Sequence, residues 1–166
     1  LSGLLKRFES STGAFKLSIL RLIDSHEKFL SAIERGFVIT TDFLKETTGT
    51  DDEEFEEILL NSDEKKSVDE YNIELLTKDV RDDLKKLKII LNSLNQIKPE
   101  KDPKLKVLVN ELIKILKDAS YESSSREERI DNRKVLIFSF YADTVSWIES
   151  FLIKAIESSE ELEEYR

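Results

Sequence analysis

The 166-residue chain has no cysteine and no methionine, only two prolines and four glycines, and one histidine. Without cysteine there are no disulfides and no thiolate metal sites, a composition that fits an intracellular, cytoplasmic protein. Without methionine, and beginning at Leu1, the sequence reads as a processed chain or a piece of a longer one; omission of a modified methionine is the other reading. No apolar run approaches the roughly 18–20 residues of a membrane span. The start of the chain lacks the basic, apolar and small-residue order of a signal peptide. His26-Glu27 has no second histidine with which to form a metal motif.

Charge is abundant and unevenly placed. The formal net charge is −9, from 26 basic and 35 acidic residues. Asp51 to Glu70 holds ten acids and two lysines, and Glu157 to Arg166 holds five acids and one arginine, leaving +3 on the other 136 residues. The acidic segments are not expected to face phosphates, but the rest of the chain is not barred from nucleic acid by the overall sign. The acid run Asp51 to Glu57 lacks the alternating oxygen ligands and central glycine of a calcium loop, so it reads as a solvated helix start.

With both prolines confined to positions 99–103, long helices are expected. The first covers Leu4 to Arg35, with apolar steps of three and four and a stop at Gly36. Ser10-Ser11-Thr12-Gly13 weakens it, as a kink or as a place where another backbone comes close. Thr40 to Lys45 reads as a short turn or helix. Thr50 with Glu53 has the capping-box pattern and opens a helix over 51–60. Asn61 to Val68 reads as a mobile polar loop. Asp69 to Ile97 has the clearest helical period, through Ile73, Leu76, Val80, Leu84, Leu87, Leu91 and Leu94. At about 1.5 Å per residue, it and the first helix would each run about 40–50 Å. Pro99 ends it. Asp102-Pro103 restarts a helix, as N-cap and first helical residue, with Leu105, Leu108, Val109, Leu112, Ile115 and Leu116 buried. Asp118 to Asn132, rich in serine and charge, reads as a flexible linker.

The pattern then changes. Val135-Leu136-Ile137-Phe138 is a short continuous apolar run of the kind buried on both faces of a parallel sheet. Helical periodicity returns with Val145, Ile148, Leu152 and Ile156 inward. Strand, turn and helix make the first half of a βαβ unit, whose neighbouring strands are not in the sequence.

The run RKVLIFSFYADTVSWIESF, Arg133 to Phe151, resembles the first strand and helix of the second RecA-like lobe of Swi/Snf-type, superfamily-two helicase-like ATPases. Asp102 through Leu116 resembles the helix that precedes this strand. Leu4 to Phe15 is similar to a helical stretch between the lobes of prokaryotic members. Thr40 to Ile97 resembles nothing identifiable and reads as an insertion. The resemblance implies that the parent protein is an ATP hydrolase that uses ATP and magnesium to translocate along nucleic acid, with duplex DNA expected. It places the phosphate-binding loop and the magnesium-binding acids upstream of Leu1 and the arginine finger downstream of Arg166. No G-x-x-x-x-G-K-[ST] run occurs within the chain. No catalytic residue, metal ligand or cofactor site is therefore expected here.

The candidate nucleic-acid contacts are Ser139, Phe140, Tyr141 and Thr144, at the carboxyl end of the expected strand and the start of the next helix, where ligands of open parallel sheets bind. The competing reading is that Ser139 and Thr144 cap the helix and Phe140 enters the core. Lys6 and Arg7 are phosphate contacts or a solvated pair. Lys85, Lys86 and Lys88 read as the wet face of a helix. Trp147 and Phe151 mark a partner surface or pack within the lobe.

The expected fold class is mainly α: a long-helix bundle or arm with one C-terminal β-strand and helix that begin an incomplete RecA-like α/β lobe. Residues 1–100 form a helical inter-lobe or insertion region, 101–118 a helix leading into the second lobe, 119–132 a linker, and 133–166 the lobe's start. The function expected is that of a non-catalytic fragment of a nucleic-acid translocase, with nucleic acid and the parent's other lobes as partners and no membrane. The alternative is a helical structural or protein-interaction module with no motor attached.

Overall fold

A computed structural model describes residues 2–166, with the side chains of Ser2 and Asp52 outside the description. The fold is mainly helical. Eight α-helices are described: α1 (Ser2–Ser10), α2 (Thr12–Glu34), α3 (Thr41–Glu46), α4 (Asp52–Asn61), α5 (Ile73–Asn95), α6 (Pro103–Glu122), α7 (Arg126–Asn132) and α8 (Ala142–Ser158). Two two-residue strands, β1 (Phe37–Val38) and β2 (Lys66–Ser67), pair antiparallel, Phe37 opposite Ser67 and Val38 opposite Lys66. Short 3₁₀ turns lie at Val68–Glu70, Pro99–Lys101 and Glu160–Tyr165. No described helix is long and apolar enough to cross a membrane.

The chain divides into two units, Lys16–Leu94 and Leu1–Phe15 with Asn95–Arg166. Residues 1–15 thus join residues 95–166 in one unit. Residues 1–15 go with the C-terminal part because polar side chains at the α1–α2 break find their partners there.

The unit Lys16–Leu94 is built on α2, whose Ile19 and Ala32 are fully buried. Gly36, at φ +87°, lets the chain leave the helix in a conformation that side-chain-bearing residues rarely adopt. The turn sends β1 toward β2. Ala32, Ile39, Phe43, Phe55 and Leu59 form the core, with the rings of Phe43 and Phe55 edge to face at 6.1 Å. Lys28 is buried and donates to the carbonyls of Thr47 at 2.7 Å and Thr50 at 3.0 Å, with Asp24 at 3.1 Å. Its ammonium thus satisfies the turn between α3 and α4. His26 Nδ1 lies 2.6 Å from the Leu22 carbonyl, an ordinary bond within α2.

Three local expectations shift here. The N-cap of α4 is Asp51, not Thr50: the Asp51 carboxylate accepts from Glu54 N at 2.9 Å, while the Thr50 hydroxyl donates back to Thr47 O at 2.8 Å. The polar segment 61–68 contains β2, and Lys65 donates to the terminal α4 carbonyls of Leu59 and Leu60. α5 starts at Ile73 rather than Asp69, because Val68–Glu70 forms a separate 3₁₀ turn. Lys85 and Lys86 pair with Asp82 and Asp83 on their own helix, and Lys88 pairs with Glu27 of α2 at 2.7 Å.

In the other unit, Asp102 caps α6 as expected, accepting from Lys104 N at 2.9 Å, with Pro103 at the first helical position. Leu105, Leu112 and Leu116 are buried, while Leu108, Val109 and Ile115 are half-buried. Leu112 and Leu116 pack with Leu162 from the 3₁₀ turn, and Leu152 and Ile156 of α8 pack against them.

One expectation fails here, and another is left without a ladder. The segment 119–132 is not an irregular linker. α6 runs to Glu122, and α7 is capped by Ser125, whose hydroxyl accepts from Glu128 N at 3.1 Å. Capping chemistry, invisible to a search for apolar period, makes this helix. Val135–Phe138 is not in a ladder: β1 and β2 are the only strands among the described residues. A strand needs main-chain partners alongside, and no described segment supplies them.

Candidate functional site

The candidate contacts cluster where the irregular segment 134–141 enters α8. Exposure along it alternates with the period of two expected of an extended chain. Leu136, Phe138 and Phe140 are 82%, 88% and 93% exposed, whereas Val135 and Ile137 are 36% and 41% exposed. Ile137 and Ser139 line an open cleft of about 330 Å³ with Val145, Ile148, Leu152 and Ile156 of α8. One side of the segment thus lies over α8, and the other is bare.

The four candidate residues have different fates. Thr144 is buried, and its hydroxyl oxygen lies 2.8 Å from Ser10 Oγ and 3.0 Å from Ser11 Oγ. It holds α8 to the α1–α2 break. Ser139 Oγ accepts from Tyr141 N at 3.4 Å, a bond across the turn into α8. Tyr141 occupies the N-cap position without a side-chain capping bond. Its ring carries the Arg7 guanidinium at 4.9 Å and meets Phe140 edge to face at 5.1 Å. Phe140 does not enter the core. Ser139, Phe140 and Tyr141 are therefore gathered at the start of α8, while Thr144 is spent on internal packing.

Electrostatics at this point are close to balanced. Asp143 lies in the first turn of α8, where a carboxylate suits the helix dipole. Arg7 donates to it at 2.7 Å, so Arg7 is not part of a solvated pair but bridges α1 and α8. Neighbouring bonds extend the polar seam. Thr12 donates to Asp102 at 3.4 Å, and Lys104 donates to the Glu9 carbonyl. Trp147 lies over Gly13, where a built Cβ would come within 2.6 Å of the indole. Ser10, Ser11, Arg7 and Asp102 went unnoticed as a group in the sequence, because their partners lie 90 or more positions away. The small-residue run at 10–13 was the one signal, and what it admits is an indole rather than a backbone.

Comparison with protein-family models, curated proteins and solved structures finds no match to this chain. Among the described residues, no group of three or more His, Cys, Asp or Glu is placed to hold a metal ion.

Proposed function

We propose that this chain is a non-catalytic part of a Swi/Snf-related, ATP-dependent nucleic-acid translocase, and that 134–141 with α8 opens its second RecA-like lobe. The observation that carries the reading is the segment 135–140. It joins an apolar run, a period-two exposure pattern and no main-chain ladder, which is how a sheet strand looks without its neighbours. The resemblance of residues 133–151 supplies the family. Duplex DNA, reached through the parent motor inside the cell, is the proposed track; ATP and magnesium belong to the parent's other segments. Ser139, Phe140 and Tyr141 are the proposed contacts, with Thr144 assigned to packing.

The test has two arms. The reading frame around this chain should encode a glycine-rich phosphate loop upstream and an arginine finger downstream. In that full-length protein, Ser139→Ala should weaken DNA binding by about 1–2 kcal/mol and reduce DNA-stimulated ATP hydrolysis, with basal hydrolysis kept. Thr144→Ala should instead lower the melting temperature with DNA affinity kept. A reading frame without the phosphate loop would discard the proposal, and so would ATP hydrolysis by the purified chain alone.

A second reading, a helical protein-interaction module, is favoured by α5, which leaves Leu75 and Ile89 54% and 66% exposed. Stable complex formation through α5 by a chain with no motor segments in its reading frame would establish it.

A further inference from the structure

The turn Glu160–Tyr165 is held at several points, two of which matter here. Leu162 is fully buried against Leu112 and Leu116. Glu164, two positions on, takes hydrogen bonds from two arginines: Arg129 Nη2 donates to Oε1, and Arg133 Nη1 donates to Oε2 at 2.7 Å. The arginines lie four positions apart, Arg129 in the last turn of α7 and Arg133 at its C-cap, a spacing that puts both on one side of the helix end. All three side chains are partly exposed, Arg133 at 26%, Arg129 at 41% and Glu164 at 38%.

Two guanidiniums face one carboxylate, an excess of positive charge confined to the fork itself, because the turn around it is acidic. Arg129 Nε is also out of water and has no hydrogen-bond partner. Beside this fork, Arg133 lines an open cleft of about 680 Å³ with Lys134, Leu136, Tyr165 and Arg166. Lys134 and Lys117 are each engaged by an acid, Asp131 and Glu161, and Glu163 and Glu160 add negative charge on the turn. A carboxylate offers two oxygens to this fork. A phosphate offers more, in a geometry that planar guanidinium groups bind in pairs.

We propose that Arg129 and Arg133 form a phosphate-binding fork that Glu164 occupies from within the chain, so that the Glu164 side chain controls access to it. Exchange does not require the turn to undock, because Leu162 anchors it independently. Exposed ion pairs of this kind are weak, so an incoming phosphate that makes more bonds than the carboxylate can displace it. The phosphate can come from a free phosphate compound or from a nucleic-acid backbone. The fork stands apart from Ser139–Tyr141, and the inference does not rest on the motor reading.

The test follows the side-chain Nε–H resonances of Arg129 and Arg133 as inorganic phosphate, and separately a short DNA duplex, is titrated into the full chain. Glu164→Gln should bind at least one of the two roughly fivefold more tightly than the unaltered chain. Adding Arg133→Gln should abolish that gain. A gain with inorganic phosphate alone identifies a free phosphate compound as the ligand, and a gain with duplex identifies a nucleic-acid backbone. No gain with either, or a gain that survives Arg133→Gln, overturns the proposal. If Glu164→Gln fails to fold, Arg133→Gln in the otherwise unaltered chain decides: weaker binding supports the fork, and unchanged binding overturns it.

Discussion

Gly13 and Trp147 show how little room single residues leave. Any side chain at position 13 would meet the indole, with a Cβ 2.6 Å from two of its carbons. The ring cannot be compressed, so it or the helix must move. Gly13→Ala is expected to destabilise the chain by about 1–3 kcal/mol, the usual cost of overpacking. Urea unfolding measures the loss, and Trp147, the one tryptophan, reports locally through a change in its emission. A stability equal to the unaltered chain's would show that the indole has space to retreat. At the surface, Glu56 receives both Nε and Nη2 of Arg35, and this hydrogen bonding, aided by the positive charge, holds its carboxyl below the ordinary 4.5. Its ionised form is favoured by folding. The pair's contribution is therefore complete above about 4.5 and lost as pH falls through the lower folded value. Arg35→Gln should bring the Glu56 midpoint back up toward 4.5, as read by side-chain carboxyl NMR; an unmoved midpoint would mean that the pair does not persist in solution.

Among the elements, α7 depends most on its cap. It has seven residues, none of them buried, and isolated helices of that length are unstable in water. Its start is closed twice: Ser125 Oγ accepts from Glu128 N, and Glu128 accepts from Ser124 N at 2.7 Å. The first is an N-cap bond, and the second ties the residue before the cap to the first turn. Ser125→Ala should therefore cost about 0.5–2 kcal/mol and act locally. Hydrogen exchange at Arg129, whose N–H bonds Ser125 O, should speed up while exchange around Leu112 stays slow. Equal acceleration at both would assign the effect to the whole unit. The helices with strong apolar period, α5 and α6, were legible in the sequence to within a few residues. α7 was not, because it has no apolar stripe; its one sequence signal is the Ser125-x-x-Glu128 capping pattern, of the same kind as Thr50 with Glu53.

For the whole molecule, the exposed face of 134–141 is the feature with physical consequences. Leu136, Phe138 and Phe140 form an apolar row that water covers at a cost. The chain is expected to bind an apolar fluorescent dye while its helix content is intact. Phe138→Ser with Phe140→Ser should remove most of that signal without lowering the melting temperature, since both rings are largely outside the fold. A dye signal that persists would place the apolar surface elsewhere, α5 being the next candidate.

The sequence by itself determined the mainly helical class, the stop at Gly36 and the start at Asp102, because backbone restriction and capping act within a few residues. It also marked Val135–Phe138 as unlike the rest. Tertiary structure decided what local chemistry cannot. Thr144 was taken inward by Ser10 and Ser11, Arg7 was paired with Asp143, and Glu164 was set between Arg129 and Arg133. It also left the apolar run without a ladder. A strand is a property of two segments, and a hydroxyl's role depends on which distant side chain it meets. Such pairings form only when the chain has folded.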